Sequence, residues 1–129
     1  MKATELMLGD WVFNTQNNKP EQVQEILTGN DIDYAVMLDY RDIYNEDDIE
    51  PIPLTAEILK ANGFEPRDEH FYLSDDYYDI DVWQYSDGIW IVRYDCCEMN
   101  MPSEQWTISY LYELQQFMRH CKIDKTIEL

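Results

Sequence analysis

Positive charge is scarce in this chain: 9 Lys and Arg stand against 27 Asp and Glu, a formal charge of −18. Phosphate contacts need a basic footprint, so the scarcity disfavours direct nucleic-acid binding. It disfavours anionic membrane surfaces for the same reason. The imbalance is even, with 13 acids and 4 bases in residues 1–64 and 14 and 5 in 65–129. No basic arm therefore sits beside an acidic tail. Cysteines are few and odd in number, Cys96, Cys97 and Cys121. Two of them are adjacent, a poor disulfide framework that points to a reduced, cytoplasmic protein. No stretch approaches the roughly 18 apolar residues of a membrane span, and no apolar segment follows Met1, which speaks against a secretory leader.

Catalytic signatures are also missing. The chain has no G-x-S-x-G, H-E-x-x-H, phosphate loop or dinucleotide fingerprint. Only His70 and His120 offer a base that works near neutral pH. Residues 65–69 read as a polar linker before a strand over 70–73, and His70 sits there beside Asp68 and Glu69 with no nucleophile set against it. The sequence thus reads as non-enzymatic, with no catalytic residue, metal or cofactor assigned.

What is present is globular. Apolar residues make up 45% of 129, and 14% are aromatic. The mean hydropathy of −0.55 reflects carboxylates and not disorder. The length suits one compact body with two parts, 1–52 and 53–129.

Residues 71–94 form the centre. Residues 78–85 alternate between two faces, Asp87-Gly88 supplies a tight type I′ turn, and 89–94 are β-branched and aromatic. A two-residue turn sets Tyr85 opposite Trp90, Trp83 opposite Val92 and Asp81 opposite Tyr94. The other face then carries Ile80, Val82, Gln84, Ile89, Ile91 and Arg93. A lone hairpin is marginal in water, so further strands or a covering helix are required.

Before it, short strands are expected over 6–13, interrupted at Gly9-Asp10, and over 21–27 and 32–40, with Ile43, Tyr44 and Ile49 forming a short fourth. Turn residues separate them, as in a small bent antiparallel unit. A helix over 55–62 carries clear punctuation: Thr55 as N-cap, Leu54 stapling onto Leu59, and Gly63 in the left-handed C′ position. After the hairpin, 96–101 reads as a strand stopped by Pro102. Residues 109–123 read as the longest helix, with Leu111, Leu114, Met118 and Cys121 on one stripe. The tail 124–129 reads as frayed.

Five constellations invite a functional reading. Asp75, Asp76, Asp79 and Asp81 are oxygen-rich, as Ca²⁺ sites are. They lack the EF-hand order and read more simply as a solvated strand edge that discourages aggregation. Cys96, Cys97, His120 and Cys121 contain a Cys₃His set, but the spacing departs from zinc knuckles and neighbours on a strand diverge. They read as buried, inert thiols. His70 is the third, as above. The aromatics Trp83, Tyr85, Trp90 and Tyr94 suit either a core face or a binding platform. Last, Asp39, Asp42, Glu46, Asp47, Asp48 and Glu50 crowd one loop with only Arg41 against them. Such an array either solubilises the chain or imitates a phosphate backbone.

The order Gly9-Asp10-x-Val12, then Ile52-Pro53-Leu54-Thr55-x-x-x-Leu59-x-x-x-Gly63-Phe64, then Tyr110-Leu111-x-x-Leu114-Gln115 resembles an uncharacterised family of small acidic bacterial proteins. Some members are phage- or mobile-element-associated. The motifs are a cap, a staple and a covering helix, and members often carry His where Tyr112 stands here. The resemblance implies no activity, cofactor or site residue. By strand count and the Gly-Asp start, the N-terminal third is also similar to an SH3-like barrel.

The expectation is an α+β protein: an N-terminal bent β-unit, a short linking helix, and an antiparallel sheet covered by a C-terminal helix. Its expected role is an acidic protein-interaction module with a protein partner that is basic or itself binds nucleic acid. The interaction surface is expected among the ten carboxylates of the 39–50 and 75–81 groups. The alternative is a nucleic-acid mimic that inhibits a DNA- or RNA-binding protein, and a divalent-metal enzyme comes third. A mimic is released steeply by salt, whereas a generic module binds through apolar contacts with weak salt dependence.

Overall fold

The computed structural model describes residues 1–28, 34–39, 42–96 and 103–129. The chain divides into two compact units, Met1–Ile52 and Pro53–Leu129.

In the first unit, Gly9 takes a φ of 87° within a turn where the Asp10 N–H donates to the Met7 carbonyl at 3.1 Å. The strand expected over 6–13 therefore starts only at β1 (Trp11–Asn14). The strand expected over 21–27 is divided into β2 (Lys19–Gln22) and β3 (Glu25–Thr28). The cause is a change of partner. The Val23 N–H still donates to Asp10, beside β1, but the Gln24 N–H donates to the Met37 carbonyl at 2.7 Å. The chain then runs through β4 (Tyr34–Met37), β5 (Ile43–Asn45), a 3₁₀ turn at Glu46–Asp48 and β6 (Ile49–Pro51). Two three-stranded antiparallel sheets result, β2-β1-β6 and β3-β4-β5. A segment feeding both sheets and a last strand returning to the first join the two sheets into one small unit. Val12, Val23, Val36, Leu38 and Ile49 are buried as its core. Burial of each such side chain contributes about 1.5–3 kcal/mol.

The second unit opens with α1 (Ala56–Ala61). Thr55 Oγ1 accepts the Ile58 N–H at 3.2 Å, and Gly63 closes the helix at φ 88°. The Phe64 N–H then reaches back to the Leu59 carbonyl at 3.0 Å, completing a Schellman end. Residues 65–69 are not a linker. They form β7 (Glu65–Arg67) and a turn in which Asp68 and Glu69 both take positive φ, 49° and 68°. Two left-handed residues make this the type I′ geometry that matches strand twist.

There follow β8 (His70–Ser74), β9 (Tyr78–Ser86), β10 (Ile89–Cys96), β11 (Glu104–Ile108) and α2 (Leu111–His120). The strands form one antiparallel sheet in the order β11-β10-β9-β8-β7. Beyond Cys96, the strand expected over 96–101 lies outside the described residues.

The central hairpin exists, but its register differs from the expected one. Gly88 takes a φ of 73°, while Asp87 is not left-handed, so the turn is not type I′. The pairing shifts by one between Ile89 and Trp90, placing Trp90 opposite Gln84, Ile91 opposite Trp83 and Val92 opposite Val82. A type I turn followed by a left-handed glycine in a bulge produces this offset. Because side chains alternate with period two, one residue of slip exchanges every face assignment on one strand. Trp90 and Val92 join Ile80 and Val82 in the core, and Trp83 joins Ile91 and Arg93 on the opposite face.

Helix α2 packs on the core face. Phe117 meets Trp106 of β11 edge-on, with centroids 5.1 Å apart. Leu111, Leu114, Phe117 and Met118 are buried. The helix starts later than residue 109 because Tyr110 is still extended and bridges to Pro53. It ends with Lys122 at φ 59° and the Ile123 N–H on the Met118 carbonyl at 2.9 Å. The tail is docked and not frayed. Ile123 and Ile127 are buried, and Asn62 clips the backbone of Glu128.

Candidate functional site

The two faces of the five-stranded sheet have different company. On the core face, Trp106 meets α2, and Phe71 and Trp90 share a cleft with Ala56 of α1. The opposite face collects Arg67, His70, Tyr72, Asp79, Asp81, Trp83, Ile91, Arg93 and Asp95 through the pairings of β7 to β10. It keeps solvent contact: Arg67, Asp79 and Arg93 are exposed, and Tyr72, Trp83 and Ile91 are partly exposed.

Three rings on this face form one stack. His70 lies 5.0 Å from the Trp83 ring at 19° and 5.9 Å from Tyr72 at 15°. Register explains the contacts, since Trp83 is directly across from His70 and Tyr72 is two residues along the same strand. The guanidinium carbon of Arg67 lies 5.8 Å from the Tyr72 ring centre. His70 Nδ1 approaches both Asp81 carboxylate oxygens, at 2.8 and 3.0 Å. A carboxylate only accepts, so Nδ1 carries a proton and donates. That bond fixes the ring plane and with it the stack. Both partners are partly buried, with side chains 33% and 23% exposed. His70's immediate neighbours on the face are thus Arg67, Tyr72, Asp81 and Trp83.

The carboxylates of the face are unevenly answered. Asp79 stands directly opposite Asp95. Like charges in that position destabilise a strand pair. Arg93 answers Asp95, with Nε 3.1 Å from the carboxylate. Asp81 faces His70.

The other acidic candidates divide by role. Asp75 folds its own turn, accepting the Tyr77 and Tyr78 N–H groups at 2.7 and 3.1 Å. In the first unit, Glu46 accepts the Ala3 N–H at 2.8 Å, Asp48 the Asn45 N–H at 3.3 Å, and Asp39 the Gln22 N–H at 2.8 Å. These carboxylates organise backbone. Asp42, Asp47, Glu50 and Asp76 are exposed. Among the described residues, no three His, Cys, Asp or Glu side chains gather as metal ligands.

Among the described residues, the Cys/His set forms no cluster of metal ligands. His120 faces Glu104 at 3.7 Å and Trp106 at 5.3 Å between ring centres. Cys96 and Cys121 are free thiols that line one cleft of about 410 Å³, with Tyr78, Tyr94, Lys122 and Asp124. Cys97 lies outside the described residues. Burial, then the nearby Glu104, pushes the Cys121 thiol up to about 11. Burial, then Asp75 and Asp124, raises the Tyr78 phenol. A second cleft of about 620 Å³ lies between Phe71, Trp90, Glu69 and Asp87.

Two features escape sequence reading. One is the His70–Asp81–Trp83 cluster, hidden by the bulge and by reading 65–69 as a linker. The other is buried Glu21, which accepts from Asn14 Nδ2 at 2.9 Å and Asn17 Nδ2 at 3.0 Å. Asn17 also donates to the Tyr44 hydroxyl at 3.0 Å. The polar run 14–18 foreshadows that network only as a turn. It satisfies a buried carboxylate, as burial demands.

Comparison with protein-family models, with curated proteins and with solved structures finds no match for the chain.

Proposed function

We propose that the chain is a non-enzymatic, cytoplasmic protein-interaction module that engages a basic protein partner. The observation that carries this reading is the Tyr72–His70–Trp83 stack, partly exposed and interspersed with carboxylates on the sheet face opposite both helices. Aromatic side chains are enriched at protein interfaces because they bury much area at low entropic cost. A net charge of −18 makes a basic surface the complementary one and steers its approach. No helix of the described residues is long and apolar enough to cross a membrane.

The test is capture from the native cell with wild-type protein and with Trp83→Leu, at about 0.05 M and about 0.5 M salt. A basic protein retained by wild type and lost from the variant is the expected result. Equal recovery on both proteins, or no enrichment at low salt, overturns the reading. A nucleic-acid mimic is the second reading, favoured by exposed Asp42, Asp47 and Glu50 along one short stretch. It requires the captured protein to bind DNA or RNA, and duplex DNA to displace it.

A further inference from the structure

We propose that the sheet face bearing Trp83 is the contact surface, and that it anchors arginine side chains of an extended basic protein segment. This rests on the reading of the chain as a module for a basic partner, and it names the face and the chemistry.

The face already shows how it treats a planar cation. The Arg67 guanidinium, paired with Glu65 at 2.9 Å, holds its carbon 5.8 Å from the Tyr72 ring centre, and Tyr72, His70 and Trp83 stack with interplanar angles of 15° and 19°. A guanidinium laid against this row extends the same order and gains a cation–π contact. Its fork of N–H donors meets Asp81, the next residue on the same face of β9. Asp79 follows one step further on that face, opposed by Asp95. Arg93 already answers Asp95, so a cation arriving from outside meets the exposed Asp79 carboxylate.

The spacing selects an extended occupant. Asp79, Asp81 and Trp83 recur along β9 at about 6.6–6.8 Å intervals, the repeat of alternate side chains in any extended chain. An Arg-x-Arg pattern therefore brings successive guanidinium groups to successive acceptors. Lysine supplies charge but neither the planar stack nor the fork. A second copy of this chain brings the same excess of carboxylates and repels. Phosphate polymers repel likewise.

The experiment titrates the full chain with the capped peptides Arg-Ser-Arg-Ser-Arg and Lys-Ser-Lys-Ser-Lys by calorimetry at about 0.05 M salt, with ¹H–¹⁵N shift mapping alongside. The arginine peptide is expected to bind about tenfold tighter, with shifts centred on His70, Asp79, Asp81 and Trp83. Trp83→Leu and, separately, the exposed change Asp79→Asn should each weaken the arginine peptide about fivefold or more, with the lysine peptide within about twofold. The Asp79 variant keeps the test valid if Trp83→Leu unfolds. Equal affinity for both peptides, with shifts centred on 42–50, overturns the arginine anchor and leaves the basic-partner reading standing. Binding of neither peptide overturns both.

Discussion

Trp90 stands across the central hairpin from Gln84, one residue short of the Tyr85 that a two-residue turn would give it. That offset decides which residues are core and which are surface. It buries Trp90 beside Val82 and sends Trp83 to the open face beside His70. The turn that creates the offset is therefore the first place to perturb.

Gly88→Ala tests it. Gly88 takes a φ of 73°, and an added Cβ meets nothing within 4 Å. The cost is then conformational, about 1–2 kcal/mol. Urea unfolding should show a lower midpoint at unchanged slope. A loss well below that range means that the turn does not depend on a left-handed residue.

Asn62 ties the chain end to α1. Its amide donates to the Ile58 and Glu128 carbonyls, and its oxygen accepts the Glu128 N–H at 2.8 Å. Asn62→Ala leaves partly buried groups without partners and should cost about 1–3 kcal/mol. Amide exchange at Glu128 and Ile127 should accelerate well before global unfolding. Unchanged exchange there contradicts the clip.

Lys122 occupies a left-handed position at the end of α2, where glycine carries no Cβ penalty. Lys122→Gly should therefore stabilise by about 0.5–1 kcal/mol. Thermal unfolding reads the sign, and a destabilised variant would show that the lysine side chain makes contacts worth more than the strain.

The Cys121 thiol offers a pH test. Its folded pKa, about 11, lies above the ordinary thiol value of 9.0. The folded state thus holds its proton more tightly, and this contribution to stability is whole below pH 9 and lost as pH rises toward 11. Iodoacetamide, followed by mass spectrometry, should label Cys121 slowly at pH 8 and faster as pH approaches 11, since the thiolate is the nucleophile. Rapid labelling at pH 8 contradicts a protected thiol.

Local chemistry made parts of this fold legible. Thr55 caps α1 and Gly63 takes the left-handed position its role requires, and Leu54 and Leu59 are both buried. The stripe of Leu111, Leu114 and Met118 faces the core. What escaped depends on partners remote in sequence. Val23 and Gln24 change sheets because Asp10 and Met37 are their acceptors, and neither is marked by periodicity. The tail docks because Asn62 waits 66 positions away. The candidate face was missed for a subtler reason. Asp87-Gly88 suits both a type I′ turn and a type I turn with a glycine bulge, and the two choices exchange the faces of the hairpin. Of the acidic residues read as a surface, Asp79 and Asp81 share this face, while Glu46, Asp48 and Asp75 hold backbone.

Proton–proton NOEs among the aromatic rings give the most direct test of the arrangement. With centroids 5.0 Å apart, His70 and Trp83 should show strong ring-to-ring cross-peaks, as should Trp106 with Phe117 at 5.1 Å. Cross-peaks from Trp90 to Tyr85 instead, with none between Trp83 and His70, would place Trp83 on the other face and remove the proposed contact surface.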